Sequence, residues 1–576
     1  MSNNKDILLS VESLNLSFKS KENFVKVLHD VSFEIEKGQI VGIVGESGSG
    51  KTVSGLSIMR LLPDDISHTT GQIIWRQNHE SLDLLSLSQD EINKYRGRKI
   101  SMIFQEPMSS FDPTMRCGKQ VDEARITHFP EEKDTVKNRT IQLFKELTLE
   151  DTDRIYNSYP HELSGGQLQR VMIAMALINQ PDLIIADEPT TALDVTVQKE
   201  IIELLKSISE QYKCAILFIS HDLALVHELC DVVVVMQKGR VVEQGNCKGI
   251  FKNPIHPYTR GLLACRPPTD LRLTRLPLVE EFVNLDEIGQ KNLMDSLIET
   301  EEEYRNKIEA IHQSDVLVNV QNLSKSYPVE KNWLGRVKKR KMILKDINFN
   351  VKAGEVLGLV GESGSGKSTL GKCILNLTEI DSGEVKYKGL ALGDLDREKM
   401  RRLRKEIQII FQDPYSSLNP KIKIGSAIME PLAAHNLEAN TKSRKEKAMH
   451  LLEKVGLKPE HFDRYPHQFS GGQRQRIVIA RSLILEPKFL VCDESVSALD
   501  VSVQAQILNL LNDLKKEMGL SYLFISHDLS VVKHFCDRVM VMQSGKIVEE
   551  GDVEAVFHHP KSEYTRSLLD AVPGMA

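Results

Sequence analysis

The chain has no apolar run approaching the ~20 residues that span a bilayer. Its start, "MSNNKDILLSVESL", lacks the basic-then-apolar order of a secretory leader, so a soluble, cytoplasmic protein is expected. No cysteines pair at C-x-x-C spacing: the eight, at 117, 214, 230, 247, 265, 373, 492 and 536, stand singly, several inside apolar stretches such as "FLVCDE". That excludes the ligand spacing of zinc and iron–sulfur sites and leaves reduced core thiols. Positive charge is not in excess either. Lys plus Arg is 74 against 80 for Asp plus Glu, and neither half carries a dense basic stripe, so nucleic acid is not an expected partner.

What the chain does have is length and repetition. Its 576 residues exceed the ~100 to 200 of an ordinary domain, so several domains are expected and core size is no limit. "VGESGSGKT" at 44–52 returns as "VGESGSGKS" at 360–368. Both fit G-x-x-x-x-G-K-[ST], with Gly45, Gly50, Lys51 and Thr52 in the first copy and Gly361, Gly366, Lys367 and Ser368 in the second. Each follows a short apolar run, "QIVGIV" or "EVLGLV", that reads as a buried strand, and each precedes a helix-compatible segment. A strand turning into a helix through glycines points backbone N–H groups inward, and the helix dipole adds positive potential to that nest. Lysine then suits β and γ phosphates, and the Thr52 or Ser368 hydroxyl suits magnesium.

The duplication extends well beyond these loops. Numbers differ by 306 between Gln167 and Gln473, Glu188 and Glu494, and His221 and His527. The first half is longer around "RQNHESLDLLSLSQDE" and the second between Tyr327 and Gly361, where "RVKKRK" lies; both insertions read as surface loops. The basic run reads as solvated, with contact to a membrane surface as the sharper alternative. Between the halves, 285–313 is acidic and has no Gly or Pro after Gly289, which predicts a solvated helix. The expected division is a first domain at 1–265, a linker at 266–313 and a second domain at 314–576.

"LIIADEPTTALD" at 183–194 and "FLVCDESVSALD" at 489–500 each read as an apolar strand ending in two carboxylates. Where the chain turns at a strand end, both acids can face a nucleotide. Asp187 and Asp493 would hold magnesium through its water, and Glu188 and Glu494 would polarise the attacking water. "PHELSGGQLQRV" and "PHQFSGGQRQRI" place Ser-Gly-Gly-Gln at a helix start, a second anion-binding end in each half.

Phosphate loop, glutamine loop, "LSGGQ" signature, "ADE" carboxylates, "ALD" loop and histidine, in this order and twice over, resemble the ATP-binding-cassette family along essentially the whole chain. The resemblance implies an α/β fold: two tandem P-loop NTPase cassettes, each with a parallel-sheet core, an antiparallel β subdomain and a helical subdomain. It also implies two ATPs sandwiched head to tail, each held by the P-loop of one half and the signature of the other. One site would join Gly45, Gly48, Ser49, Gly50, Lys51, Thr52, Gln105, Asp187, Glu188 and His221 to Ser470, Gly471, Gly472 and Gln473. The other would join Gly361, Gly364, Ser365, Gly366, Lys367, Ser368, Gln412, Asp493, Glu494 and His527 to Ser164, Gly165, Gly166 and Gln167. Magnesium would be held by Thr52, Gln105 and Asp187, and by Ser368, Gln412 and Asp493. Phe18 and Tyr327 match the aromatic that stacks on adenine, with a core aromatic as the alternative. The departures, Phe469 for Leu and Ser495 and Val496 in place of Pro189 and Thr190, remove no magnesium ligand, base or phosphate donor, so two hydrolytic sites are expected.

"FQEPMSSFDPTM", "FQDPYSSLNPKI" and the tails "HPYTRGLLA" and "HPKSEYTRSLLDA" resemble the peptide and nickel importer branch, which includes fused ATPases for oligopeptides, dipeptides, glutathione or microcin C. That implies two integral-membrane permease subunits, an extracytoplasmic solute-binding protein, and a monomeric pseudo-dimer peripheral on the cytoplasmic face. Some members carry an iron–sulfur tail after "HPYT"; Cys265 stands alone here, so none is expected. A tandem cassette acting on the ribosome or DNA would have a basic helical arm and no such tails, and an exporter ATPase would differ around the glutamine loop.

Overall fold

The computed structural model describes residues 6–20, 23–77, 80–191, 193–331, 337–438, 440–497 and 499–572. The chain divides into two compact units, Met1–Leu263 with Val279–Asn284, and Ala264–Leu278 with Leu285–Ala576. No described helix is long and apolar enough to cross a membrane.

In the first unit, short β-branched runs form the inner strands because a parallel strand covered on both faces must be apolar at every position. Ile40–Val44, Leu183–Asp187 and Ala215–Ile219 are buried at all positions. The six-stranded sheet runs Arg240–Asn246, Val232–Gln237, Ile40–Val44, Ala215–Ile219, Leu183–Asp187 and Ile100–Ile103, parallel except for the first strand. A four-stranded antiparallel sheet orders Asn23–Glu36, Ile7–Ser20, Ser67–Gln77 and Glu80–Asp83. Its inward face, with Leu9, Leu16, Ile73 and Trp75, joins Ile43, Ile185 and Leu217 of the parallel sheet in one core. Helices Cys117–Ile126, Lys133–Glu146, Thr152–Asn157 and Gly165–Leu177 make the helical part.

The second unit repeats this plan. Its parallel strands are Ile407–Ile410, Phe489–Asp493, Ser521–Ile525, Val356–Val360 and Arg538–Gln543, with Lys546–Asp552 antiparallel at the edge. Its antiparallel sheet orders Val337–Lys352, Val316–Lys331, Ser382–Tyr387 and Leu390–Ala391. Each unit therefore has the α/β plan expected from the sequence.

Three local expectations need correction. The described part of "RQNHESLDLLSLSQDE" is not a loop: Arg76 and Gln77 end one strand, Glu80–Asp83 forms the next, and Gln89–Ile92 is a helix, pinned by buried Leu84 and Ile92; Asn78 and His79 lie outside the described residues. Lys338 to Lys341 of the basic run are exposed but lie on the strand Val337–Lys352, where ladder pairing of Tyr327 with Lys341 and Pro328 with Arg340 lengthens the hairpin; Arg336 lies outside the described residues. The acidic segment forms two helices, Glu287–Leu297 and Glu301–Gln313, and the second is not merely solvated. It buries Ile308 and Ile311, and its Lys307 ammonium lies 2.8 Å from Asp537, a fully buried carboxylate of the same unit.

All eight cysteines are free and buried. Burial pushes the Cys214 and Cys492 thiols up to about 12, which suits inert core residues.

Candidate active sites

The first phosphate loop leaves the strand Ile40–Val44 and enters the helix Lys51–Ile58. Gly45 has φ 150, and a Cβ there would stand 2.2 Å from the Met236 carbonyl oxygen, so only glycine fits this close approach. Gly50 caps the helix with φ 104. Lys51 is buried, and its Nζ donates to the Gly45 and Glu46 carbonyls at 2.8 and 3.1 Å, which curls the loop around the ammonium. Ser49 Oγ is buried without a hydrogen-bond partner, and space is open beside Gly48. A loop lined by N–H groups, a lysine and an unpaired hydroxyl is chemically fitted to a phosphate.

Thr52 Oγ1 donates to Asp187 Oδ1 at 3.0 Å, which joins the loop to the end of the strand Leu183–Asp187. Burial first, then the neighbouring Glu188 charge, pushes the Asp187 carboxyl up to about 6, against the pull of Thr52 and Lys51. A cation would relieve that cost. Hydroxyl, carboxylate and the nearby Gln105 amide form a hard-oxygen set that suits magnesium sharing its shell with phosphate and water. Thr52, Gln105 and Asp187 also line one open groove of 490 Å³, together with Phe104 and Ser109.

Glu188 turns away from the strand because its backbone is left-handed, with φ 47, held by its N–H to the Ile219 carbonyl at 2.8 Å. Such a conformation costs on the order of 1–3 kcal/mol in a non-glycine residue and is kept where the surroundings impose it. It explains how adjacent acids share one site despite strand alternation. Gln105 Nε2 donates to Glu188 Oε2 at 2.8 Å, Thr191 Oγ1 donates to the same oxygen at 3.0 Å, and His221 Nδ1 lies 3.2 Å from it. Oε1 has no hydrogen-bond partner among the described residues, so one oxygen is anchored and the other is available to a water. Burial raises the carboxyl, but the His221 hydrogen bond and charge, Lys51 and Thr191 outweigh it and hold Glu188 below the usual range. His221 is raised in turn: burial opposes, and Glu188 prevails.

The second unit builds the same arrangement. Gly361 has φ 144 and faces the Met542 carbonyl, and Gly366, with φ 111, caps the helix Lys367–Ile374. Lys367 Nζ donates to the Gly361 and Glu362 carbonyls at 2.7 and 2.9 Å; Ser365 Oγ is buried and unpaired, and space is again open beside Gly364. Ser368 Oγ donates to Asp493 Oδ1 at 2.8 Å, and burial raises the Asp493 carboxyl. Glu494, also at φ 47, accepts from Gln412 Nε2 at 2.7 Å, with His527 Nδ1 3.5 Å away. The third grip is missing: Ser497 Oγ donates to the Glu494 backbone carbonyl instead of the carboxylate.

Within each unit the signature residues share no hydrogen bond with these clusters among the described residues. Ser164 caps the helix Gly165–Leu177, and its Oγ and backbone exchange hydrogen bonds with Gln167; Ser470 and Gln473 do the same before Gly471–Leu483. Gly166 and Gly472 serve packing, since a Cβ would collide with Val197 or Val503. Phe18 is half-buried against the core, whereas Tyr327 is 38 % exposed beside Lys325.

Sequence reasoning missed two tyrosines and one threonine. The Tyr258 hydroxyl accepts from the Glu46 N–H at 3.0 Å and the Tyr564 hydroxyl from the Glu362 N–H at 3.1 Å, so each tail reaches its own phosphate loop. The tail motifs were the available signal, although nothing local in them indicates this contact. Thr191 lies in the quoted "TTALD" without a marker of its own.

A phosphate loop, a buried lysine, a hydroxyl–aspartate pair and a gripped glutamate, built twice on parallel sheets with a capped signature helix, define a tandem ATP-hydrolysing cassette protein. The ABC transporter family profile matches residues 28–191 and 344–497, and the profile for the oligopeptide/dipeptide transporter C-terminal region matches 242–287 and 548–576. The chain belongs to the ABC transporter family and is an ATPase of its peptide-transporter branch. The glutathione import ATP-binding protein GsiA of Salmonella typhimurium is 42% identical over 569 residues, covering 98% of this chain and 89% of that protein. GsiA of Escherichia coli O6:H1 is 42% identical over 568 residues with the same coverage. Among solved structures, the dimeric post-hydrolysis ATP-binding cassette MJ0796 bound to ADP and Pi is 29% identical, with a TM-score of 0.38, covering 41% of this chain and 99% of that one. CbiO1 from Clostridium perfringens, part of an ABC transporter complex, gives a TM-score of 0.37 at 29% identity, covering 43% of this chain and 92% of that one.

Proposed function

We propose that this chain is the ATP-hydrolysing subunit that drives import of peptides or a related small solute, glutathione among them, through two separate membrane permease subunits. The observation that carries this reading is the oligopeptide/dipeptide transporter C-terminal region, which follows each cassette. Named import proteins aligned along nearly the whole chain support it. The subunit would sit peripherally on the cytoplasmic face as a monomeric pseudo-dimer, its cassettes at 1–265 and 314–576 joined by 266–313, with an extracytoplasmic binding protein delivering the solute.

In this reading two ATPs are each completed by the opposite half. Lys51 or Lys367 holds the β and γ phosphates while the loop N–H groups cradle them. Phe18 or Tyr327 stacks on adenine. Glu188 or Glu494 accepts a hydrogen bond from the attacking water on its free oxygen and orients it in line with the γ-phosphate, and His221 or His527 holds that carboxylate in place. Thr52, Gln105 and Asp187, or Ser368, Gln412 and Asp493, would hold magnesium, which when bound neutralises charge developing on the phosphates. Closure of the halves on ATP, and reopening after hydrolysis, would be passed to the permease subunits.

Two experiments test it. Deleting the gene should abolish uptake of labelled glutathione or oligopeptides, restored by the wild-type chain and not by one carrying Glu188→Gln and Glu494→Gln. Undiminished uptake of both solute classes in the deletion strain would overturn the import reading. For the crossed sites, Ser470→Arg sets a bulky cation at the signature helix start and should remove vanadate-trapped azido-ATP from the Lys51 peptide while ATP still binds at Lys367. Loss of trapping confined to the Lys367 peptide would overturn the crossed arrangement.

A further inference from the structure

The segment after each glutamine is held to the signature helix in different ways in the two cassettes. In the second, the short helix Pro414–Ser417 follows Gln412 and is capped by Asp413, whose carboxylate accepts from the Tyr415 and Ser416 N–H groups at 2.8 and 3.1 Å. Two arginines of the signature helix Gly471–Leu483 then grip it. The Arg474 guanidinium carbon stacks 3.7 Å from the Tyr415 ring centroid, and Arg481 Nη1 donates to the Ser417 carbonyl at 2.8 Å. Seven residues apart, the two arginines share one face of the helix.

Arg474 is nearly buried, at 6 % exposure; its Nε donates to the Pro466 carbonyl at 2.7 Å, and its Nη1 has no hydrogen-bond partner. A buried guanidinium with an unpaired N–H is costly, and the ring face offsets part of that cost electrostatically. Arg481 Nη2 completes the set by donating to Glu430 at 3.0 Å.

None of this exists in the first cassette. Leu168 and Met175 stand where the arginines do, Met108 where Tyr415 does, and Glu106 gives the helix Pro107–Ser110 no side-chain cap. Met108 is 57 % exposed.

We propose that Arg474 and Arg481 are positioning residues for ATP hydrolysis, making the Gln412 segment and the Ser470 signature helix of the second cassette one rigid body. Gln412 touches Glu494 of its own site, and Ser470 begins the signature, so movement of one is imposed on the other. The first cassette, with apolar side chains at these places, lacks this clamp. The direction of transmission rests on the crossed-site reading; the rigid coupling itself does not.

The test is a double-mutant cycle in the full-length chain, with Arg474→Leu and Tyr415→Met, the residues the first cassette uses, plus Tyr415→Phe, which keeps the ring. Arg474→Leu and Tyr415→Met should each lower kcat roughly three- to tenfold, with the Kd for ATP measured without turnover moving less than twofold. The double variant should be no worse than either single one, and Tyr415→Phe should match wild type. A kcat change under twofold in both single variants, multiplicative losses in the double, or Tyr415→Phe failing as badly as Tyr415→Met would overturn the proposal. Vanadate-trapped azido-ATP mapped by peptide mass separates the two readings. Loss that includes the Lys51 peptide supports both, and loss confined to the Lys367 peptide, whose site Gln412 serves directly, overturns transmission to the site the signature completes. Undiminished trapping at both peptides overturns the coupling.

Discussion

The two cassettes hold the same arrangement of phosphate loop, paired carboxylates, glutamine and histidine with different supports. In the first, three side chains fix Glu188, and leucine and methionine stand where the second cassette has the arginines that hold its glutamine segment. In the second, Glu494 loses the hydroxyl grip, while its glutamine segment is clamped by arginines and Asp537 is paired with Lys307 and Lys515, each at 2.8 Å. The carboxylate of Asp231, the counterpart of Asp537, accepts the Ile40 N–H and has no ion pair among the described residues; Ser209 stands where Lys515 does. The first copy is thus braced at the carboxylate proposed to orient water, the second at the joints that would carry motion.

The strongest break in that comparison should come from the carboxylates. Glu188→Gln with Glu494→Gln keeps shape and removes the charge that orients water, so phosphate release should fall by about 10²–10⁴ while ATP binding persists. Trapped nucleotide on a filter, with steady-state turnover alongside, measures both. Undiminished turnover would remove these residues from the catalytic role.

A second break concerns the buried triad. Burial raises the Asp537 carboxyl, but Lys515 and Lys307 outweigh it and hold it below the usual aspartate range. A depressed folded-state value means stability that is present above the unfolded pKa of about 4 and lost as pH falls through the lower folded one. Asp537→Asn leaves two ammonium groups without their counter-charge and should cost on the order of 3 kcal/mol at neutral pH. Calorimetry should show its melting temperature changing less than that of wild type on acidification below about pH 4. Asp231→Asn should be nearly silent, because an amide oxygen can still accept the Ile40 N–H. Equal losses from the two variants would erase this difference between the units.

How far these features were legible follows from how local they are. The phosphate loops could be read because glycine at positive φ, lysine and hydroxyl must fall at fixed spacing. The strands were readable from unbroken apolar runs. Tyr258 was not, since it meets Glu46 across 212 residues, and neither was Lys307, whose partner lies far along the chain. "RVKKRK" resisted because both faces of an exposed hairpin strand are polar, which erases the two-residue period. Glu188 at positive φ is equally silent in sequence: glutamate has no preference for that conformation, and the fold around it imposes it.

The smallest effect is the most discriminating, because it isolates a single methyl-bearing hydroxyl. Thr191 Oγ1 donates to Glu188 Oε2 at 3.0 Å, whereas Ser497 Oγ spends its proton on the Glu494 backbone carbonyl at 2.9 Å. A hydrogen bond to a carboxylate contributes about 1.5 kcal/mol at the low end of its range, and only part of that is felt in the rate because Gln105 and His221 still hold the same oxygen, so a change of roughly tenfold or less is expected. Thr191→Ala should therefore lower kcat by about two- to fivefold with the KM for ATP unchanged, since the bond orients the base and touches no phosphate. Thr191→Ser should restore the rate. Ser497→Ala should leave kcat within the error of wild type, and Ser497→Thr should not raise it, because the hydroxyl there is already committed to the backbone. If the alanine variants lose activity equally, the two glutamates are held alike in the working enzyme, and the difference between the cassettes reduces to the arginine clamp and the buried triad.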